Sequence, residues 1–164
     1  MARIVVTVGM GPWPFDRLVA AAEPLCAYHD VFVQTGASAM APPCPHESYV
    51  PLDEMQRRLD DADVVVTHAG STVRLVQRLG RVPIVVARRR ELGEAANDRQ
   101  VRFLRAEGRD GRVHALWDVT GLPAAVAAHA AVADRLLATR PLPPAVPDDR
   151  LVAVLDEICG RLFR

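Results

Sequence analysis

The segment VVVTHAGST, residues 64–72, joins a run of valines to residues that can bind an anion. The valines predict a buried strand, and the residues from His68 onward favour a turn into a helix. Gly70 has no Cβ atom, so a ligand can approach the backbone closely. The N–H groups and dipole of a helix N-terminus favour an anion, and the hydroxyls of Ser71 and Thr72 suit a phosphate. The same residues would also form an ordinary strand-to-helix turn, with a serine cap and a histidine bonded to backbone.

Short valine-rich segments alternate with helical patterns along most of the chain. The predicted strands are Arg3–Val8, Asp30–Thr35, Asp63–Thr67, Val82–Ala87 and Val113–Leu116. The predicted helices are Phe15–Tyr28, Leu52–Asp60, Thr72–Leu79, Glu94–Ala106 and Leu122–Ala138. Consecutive apolar positions are typical of parallel strands that are covered on both faces. The alternation therefore predicts an α/β fold, a doubly wound Rossmann-like parallel sheet with right-handed crossovers.

Ligands of such folds bind beyond the carboxyl ends of the strands. The loops expected at that edge are residues 9–14, 36–49, 68–72 and 88–93. Within the second loop, Ala37–Ser48 is too rich in proline for a helix or a strand, so we predict that it has neither.

The chain of 164 residues has the size of one domain followed by a short extension. Residues 1–139 are predicted to form the Rossmann-like domain, 140–149 a stiff proline-rich linker and 150–164 a C-terminal helix. Five apolar residues recur at helical spacing in this last segment: Leu151, Val154, Leu155, Ile158 and Leu162. This apolar stripe either packs back on the domain or forms a surface for a partner.

The composition excludes several classes of protein. Lys plus Arg equals Asp plus Glu, and a net charge of zero argues against nucleic-acid binding. Cys26, Cys44 and Cys159 lack the spacing of metal ligands, which predicts free thiols in a reducing compartment and no metal site. The longest weakly polar segment, Ala124–Ala133, is too short to cross a bilayer, and no signal peptide is visible at the N-terminus. We therefore expect a soluble cytoplasmic protein.

Five segments, in this order, resemble the C-terminal, UDP-sugar-binding domain of family 28 glycosyltransferases. They are VVTVG with PFDRLV (5–9 and 14–19), VFVQTGAS (31–38), YVPLDEM (49–55), ADVVVTHAG (62–70) and GRVPIVVARRRELGEAANDRQ (80–100). The resemblance is greatest to small stand-alone bacterial subunits of exopolysaccharide synthesis, in which separate polypeptides bind donor and acceptor. It implies one half of a GT-B type glycosyltransferase that needs no metal or other cofactor.

The resemblance also implies roles for individual residues. The diphosphate would face the backbone amides of Gly9 and Met10 and the turn formed by His68, Gly70, Ser71 and Thr72. Val50, Leu52 and Met55 would lie near the uracil, and Glu94, Asp98 and Gln100 would hold the sugar hydroxyls. Arg88 and Arg89 would add positive charge for the leaving UDP, although a solvated basic run has the same composition. His68 is the one local candidate for a catalytic base.

Several positions depart from the family pattern. Met10-Gly11-Pro12-Trp13 replaces a first loop that usually carries Thr, Asp and His, and the segment after HAG is one residue shorter. Arg74 and Leu75 stand where an acidic residue commonly holds the ribose diol. The usual GEHxxDHQ is GEAANDRQ here, so both histidines are replaced.

Three functions are compatible with these residues. The first is the donor-binding subunit of a bipartite enzyme, which transfers a hexosyl group from a UDP-sugar to an acceptor on another subunit. That partner would be a membrane-associated acceptor-binding protein, with a homo-oligomer as the alternative, and this chain would be peripheral to the membrane. The second is a non-catalytic scaffold subunit of a biosynthetic complex, which the departures favour. The third is a family member with different chemistry in the same cleft.

Overall fold

The computed structural model describes residues 1–140 and 142, which form one α/β domain. Six strands form a single sheet in the order β3-β2-β1-β4-β5-β6, and every neighbouring pair is parallel. The strands are β1 (Arg3–Thr7), β2 (Asp30–Gln34), β3 (His46–Glu47), β4 (Val64–His68), β5 (Ile84–Val86) and β6 (His114–Ala115). The helices are α1 (Asp16–Ala22), α2 (Leu52–Asp61), α3 (Ser71–Arg78), α4 (Arg99–Arg109) and α5 (Leu122–Thr139). The structure confirms the predicted parallel α/β fold.

Alternate residues of the strands point to opposite faces, and both faces are covered by helices. On one face, Ile4 and Val6 of β1 pack with residues of α1 and α5. On the other face, Val5 packs with residues of α2 and α3, and Val85 packs with residues of α3 and α4. Burial on both faces explains why the strands carry consecutive valines instead of alternating apolar and polar residues.

Two predicted helices have different bounds in the structure. The first ends at Ala22 and continues as a 3-10 helix, Glu23–Ala27, because Pro24 lacks the N–H group that an α-helix requires. The fourth begins at Arg99, five residues later than predicted. Asn97 accepts a hydrogen bond from the Arg99 N–H group through Oδ1 (3.0 Å), a local contact that competes with an earlier start of the helix.

Two predictions about the segment before α2 are wrong. The proline-rich loop contains the edge strand β3, which pairs with Val33 and Gln34 because an edge strand tolerates neighbouring prolines. Cys26 and Cys44 form a disulfide, with their Cα atoms 5.5 Å apart, instead of two free thiols. The fold brings them together because the end of the α1 segment and the loop before β3 lie on the same face of the sheet.

The linker and C-terminal helix predicted for residues 140–164 lie almost entirely outside the described residues. Cys159 and the apolar stripe of that segment lie there too. In the described part of the chain, no helix is both long and apolar enough to cross a membrane.

The strand order reverses between β1 and β4. The chain moves outward through β2 and β3 on one side of β1, and through β5 and β6 on the other side of β4. At such a reversal, the loops after the two central strands separate and leave a crevice at the carboxyl edge of the sheet. The two loops are the segment after Thr7 and the segment after His68.

Candidate functional site

A cavity of about 400 Å³ occupies this crevice. Its lining residues are Thr7, Gly9, Met10, Gly11, Gln34, Tyr49, Val50, Leu52, Met55, His68, Ser71, Thr72 and Leu75. The structure therefore brings together most of the residues that were predicted to contact the diphosphate and the base. A cavity of about 480 Å³ lies at the opposite edge of the sheet, beside α5. We assign the site to the smaller cavity because ligands of parallel α/β sheets bind at the carboxyl edge.

Gln34 holds the first glycine turn in place. Its Oε1 accepts hydrogen bonds from the Gly9 N–H group (3.0 Å) and the Thr7 hydroxyl (2.6 Å). Its Nε2 donates to the carbonyl oxygens of Gly9 (3.0 Å) and Ser48 (2.9 Å). The Gly9 amide, which was predicted to face the diphosphate, therefore already has an acceptor within the protein. Sequence reasoning missed Gln34, although a polar residue at the end of the buried strand DVFVQ is a usable signal.

His68 lies between the two glycine turns. A Cβ atom added at Gly9 or Gly70 would overlap the imidazole ring of His68. Gly9 also has a φ angle of +79°, which a residue with a side chain rarely adopts. The two glycines thus leave space for the histidine ring, whereas the sequence predicted that Gly70 leaves space for a ligand.

The His68 imidazole is neutral at pH 7. Burial lowers its pKa from 6.5 to about 4, and the positive charge of Arg88 contributes in the same direction. A side-chain hydrogen bond with Gln100 opposes the shift. The Nδ1 atom is buried and has no hydrogen-bond partner among the described residues. A buried nitrogen of such low basicity is poorly suited to accept a proton from an acceptor hydroxyl.

Arg88 contacts the first loop instead of the cavity. Its side chain is buried and donates hydrogen bonds to four backbone carbonyl oxygens. The acceptors are Val8 (2.6 Å), Trp13 (2.7 Å), Pro14 (3.0 Å) and Glu94 (3.2 Å). The guanidinium therefore fixes the path of the loop after β1, and no phosphate can reach it without displacing these contacts.

The residues predicted to hold sugar hydroxyls are placed outside the cavity. The Glu94 carboxylate is buried and forms an ion pair with Arg17 through both oxygens, at 2.8 and 2.9 Å. It also accepts a hydrogen bond from the Arg89 N–H group (2.9 Å). Gln100 accepts from the Arg88 N–H group through Oε1 (3.1 Å), and Asp98 is exposed just before α4. The ion pair between Arg17 and Glu94 thus connects α1 to the segment between β5 and α4.

The N-terminus of α3 opens into the cavity. Gly70 is the N-cap residue, and Ser71 and Thr72 begin the helix, so the predicted serine cap is wrong by one position. Because Gly70 has no capping side chain, the first N–H groups of α3 receive no side-chain acceptor from the cap residue. Ser71 and Thr72, the first two residues of α3, line the cavity.

The remainder of the lining carries no charged side chain and is largely apolar. Val50 and Met55 are buried, and Tyr49 and Leu52 are exposed to 59% and 63% at the rim. The lining in the described part of the chain contains no Asp, Glu, Lys or Arg side chain. Within residues 1–140, no three His, Cys, Asp or Glu side chains lie close enough together to hold a metal ion. The site can therefore offer a ligand backbone amides, hydroxyls and apolar contacts.

The fold resembles solved glycosyltransferases. CalG4, the calicheamicin glycosyltransferase, matches over 98% of this chain and 44% of its own, with a TM-score of 0.66 and 17% identity. The glycosyltransferase SnogD from Streptomyces nogalater matches over 93% of this chain and 43% of its own, with a TM-score of 0.57 and 16% identity. No model of a known protein family and no curated protein matches the sequence.

This chain spans less than half the length of these two glycosyltransferases. The likeness confirms the predicted fold class, a Rossmann-like half of the GT-B type, because nearly all of the chain superposes on one part of each neighbour. At such low identity, a likeness of structure establishes the fold, whereas function depends on the residues of the site.

Proposed function

We propose that this chain is the donor-binding half of a glycosyltransferase and binds a nucleoside diphosphate sugar in the crevice between β1 and β4. One observation carries the proposal: the first turn of α3, with Ser71 and Thr72, lines a cavity of about 400 Å³ at the reversal of strand order. That arrangement suits a diphosphate. The glycosyltransferase neighbours give a reason to choose a nucleotide sugar over other phosphorylated ligands.

In this proposal the α3 N-terminus stabilises the leaving group. When the bond between the sugar and the diphosphate breaks, negative charge accumulates on the diphosphate. The amides and hydroxyls of Ser71 and Thr72, together with the helix dipole, lie where they can stabilise that charge. The nucleoside would lie against Val50, Met55 and Leu75 on the apolar side of the cavity.

The other predicted site residues receive supporting roles. Arg88, Glu94 and Gln100 fix the loops that surround the cavity, through the contacts with backbone and with Arg17 described above. The His68 ring fills the space between the two glycine turns. The general base for the acceptor hydroxyl would then come from a second half, as would the acceptor site. This second half would be either a membrane-associated subunit or another copy of this chain.

The scaffold function remains the second candidate, and a specific observation favours it. Arg88, Glu94 and Gln100, three of the polar residues predicted to contact the donor, all have partners within the protein. A domain that had lost nucleotide binding would retain such contacts, because they stabilise its loops.

Isothermal titration calorimetry separates the two functions. UDP and a UDP-sugar are titrated into the purified chain, with uridine as a ligand that lacks phosphate. The donor-binding function predicts saturable binding of UDP and at least tenfold weaker binding of uridine, because the α3 N-terminus contributes only when phosphate is present. Equal weak binding of all three compounds, or none, would favour the scaffold.

A further inference from the structure

The Cys26–Cys44 disulfide joins the chain after α1 to the approach to β3. Cys26 lies in the 3-10 helix that follows α1, and its side chain packs against the buried core. Cys44 belongs to that core, is 8% exposed and is separated from β3 only by Pro45. Two thiols need more room than a disulfide, so reduction must displace Cys26 or Cys44 within this packed region.

The side chains that follow Cys44 attach weakly to the rest of the domain. Residues 45–49, which we call the β3 segment, are all exposed, and the next buried side chain is Val50. The ion pair between Glu47 and Arg58 has a distance of 3.9 Å and is partly exposed, so it contributes little. The β3 segment is thus fixed at its two ends, by the disulfide at Cys44 and by the burial of Val50.

The backbone of the β3 segment connects the disulfide to the crevice. The Ser48 carbonyl oxygen accepts hydrogen bonds from the Gly36 N–H group (3.1 Å) and from Nε2 of Gln34 (2.9 Å). Gln34 in turn bonds the N–H group and the carbonyl oxygen of Gly9. Tyr49, the last residue of the segment, lines the cavity itself. A displacement of the β3 segment therefore alters the first glycine turn and the rim of the cavity together.

The earlier part of the same loop has anchors of its own. Asp16 accepts hydrogen bonds through Oδ1 from the N–H groups of Ala39 (2.8 Å) and Met40 (3.0 Å). The Ser38 hydroxyl accepts from the Phe15 N–H group (2.9 Å). These contacts do not involve either cysteine, so they hold the loop beside α1 whether or not the disulfide is present. Reduction should therefore loosen the β3 segment and leave the rest of the domain folded.

We propose that the Cys26–Cys44 disulfide is a redox-sensitive switch that acts on the crevice through the β3 segment. The oxidised chain holds the arrangement that binds a nucleotide, and the reduced chain populates it less. The effect on nucleotide binding rests on the proposed function, whereas the release of the β3 segment does not. In a reducing compartment, which the composition predicts, a disulfide is typically transient and redox-sensing.

A dithiol reductant opens the switch in two exchange steps. Its first thiolate attacks the sulfur of Cys26, which is more exposed than Cys44, and displaces Cys44 as a thiolate that takes up a proton. The second thiol of the reductant, as a thiolate, then attacks its own sulfur in the mixed disulfide and releases Cys26, which is protonated in turn. The protein gains two electrons and two protons, and the dithiol becomes a cyclic disulfide.

Hydrogen exchange followed by NMR tests the release of the β3 segment. The Thr35 and Gly36 amides donate to the carbonyl oxygens of Glu47 and Ser48. They should exchange about tenfold faster after reduction with dithiothreitol, because the β3 segment protects them. Amides of β4, at the centre of the sheet, are the internal reference and should be unchanged. Thiol titration in denaturant verifies each state, with one thiol in the oxidised chain and three in the reduced chain.

Calorimetry with UDP tests the effect on the crevice. If the competent arrangement falls to about one tenth of the molecules, the apparent affinity falls about tenfold, which is the expected result of reduction. Cys26→Ser, made in a Cys159→Ser background, should bind UDP as weakly as the reduced chain and should not respond to dithiothreitol. Cys159→Ser alone is the matched control, because it retains the disulfide and should respond as the unaltered chain does.

The outcomes separate this inference from the proposed function. Equal exchange of the Thr35 and Gly36 amides in both redox states would overturn the inference, as would unfolding of the whole domain on reduction, seen by circular dichroism. Faster exchange with unchanged UDP affinity would overturn the action on the crevice and leave the donor-binding function intact. Absence of UDP binding in both states would contradict the donor-binding function, and the control of nucleotide binding with it.

Discussion

Side chains in the crevice have one of two roles, contact with a ligand or support of the first loop, and the sequence alone does not distinguish these roles. Ser71, Thr72 and Leu75 line the cavity and can contact a ligand. Gln34 and Arg88 bond the backbone of the first loop and determine its shape. Ser71, Thr72, Gln34 and Arg88 are all polar or charged residues at or just after strand ends, so their residue types alone do not separate the two tasks.

The proposed phosphate site can be tested by adding a charge at Ser71. Ser71→Asp places a carboxylate in the first turn of α3, where the helix dipole stabilises it, so the domain should fold normally. The same carboxylate would repel a diphosphate, and we expect UDP affinity to fall at least tenfold. Calorimetry measures the affinity, and circular dichroism verifies the fold.

Ala124→Asp is the matched control for that variant. Ala124 is an exposed residue in the first turn of α5 and lies outside the cavity lining, so its substitution adds the same charge elsewhere. UDP affinity should be unchanged in this variant. A similar loss of affinity in both would show that net charge, and not the α3 N-terminus, governs binding.

The buried imidazole of His68 makes stability depend on pH. Its pKa is about 4 in the folded protein and near 6.5 when unfolded, so only the unfolded chain takes up the proton between these values. Stability is therefore greatest above pH 6.5 and falls as the pH decreases towards 4. The contribution lost from this residue is about 1 kcal/mol at pH 5.5 and about 3 kcal/mol at pH 4.

Urea unfolding at pH 7.5 and pH 5.5 measures this dependence. His68→Gln should lose less stability between the two pH values than the unaltered chain, by about 1 kcal/mol. Burial also lowers the pKa of His114 and His129, so a smaller pH dependence should persist in the variant. The unaltered chain at the same two pH values provides the comparison. An identical pH dependence in the variant and the unaltered chain would contradict the lowered pKa of His68.

The two turns that flank the crevice depend on each other through the His68 ring. Each glycine contacts the ring closely enough to exclude a side chain. The β4–α3 turn and the loop after β1 therefore share one packing arrangement, although some 60 residues separate them in the sequence. Nucleotide binding at one turn should depend on the integrity of the other.

Gly70→Ala tests this arrangement. The backbone at Gly70 is extended, so the substitution introduces no backbone strain and its effect arises from the overlap with His68. We expect a loss of about 1–3 kcal/mol in the free energy of unfolding, measured by urea denaturation. UDP affinity should fall as well, because the displaced ring borders the cavity.

Gly11→Ala is the control, since a Cβ atom at Gly11 meets no heavy atom within 4 Å. Its stability should be unchanged or slightly raised. If Gly70→Ala were equally stable, the ring would have room to move, and the coupling of the two turns would be disproved.

Features that depend on residues close together in the sequence could be predicted, whereas contacts between residues far apart in the sequence could not. Valine runs and turn residues are local signals, so the five predicted strands and the grouping of Gly9, His68 and Ser71 at one sheet edge were predicted correctly, whereas Val50 was assigned by the resemblance. The bonds from Arg88 to Val8 and Trp13 join residues about 80 apart, and no local pattern reports them. The short strand β3 forms only because an edge position accepts residues that follow a proline-rich segment.

The described residues form an apolar core on both faces of the sheet. Residues of α1 and α5 cover one face of the sheet, and residues of α2, α3 and α4 cover the other. The chain nevertheless matches less than half of each glycosyltransferase neighbour. The proposed transfer reaction therefore requires a second half. Membership of family 28 stays a prediction.

Deletion of residues 149–164 tests whether this segment contributes to the folding of the domain or to its association with a partner. The predicted apolar stripe of this segment lies outside the described residues. We expect the shortened chain to retain its melting temperature within a few degrees and to lose complex formation or self-association, measured by light scattering after gel filtration. A large drop in melting temperature would instead show that the segment belongs to the core of this domain.

Both outermost strands of the sheet are only two residues long. In the part of the chain that the structure describes, β3 and β6 therefore present very few free backbone groups at the sheet margins. A partner cannot extend such a sheet by strand addition, which needs a longer row of unpaired N–H and C=O groups. The proposed second half would then have to be recognised by side chains of the helices and the crevice loops. The same short margins protect this domain from edge-to-edge aggregation.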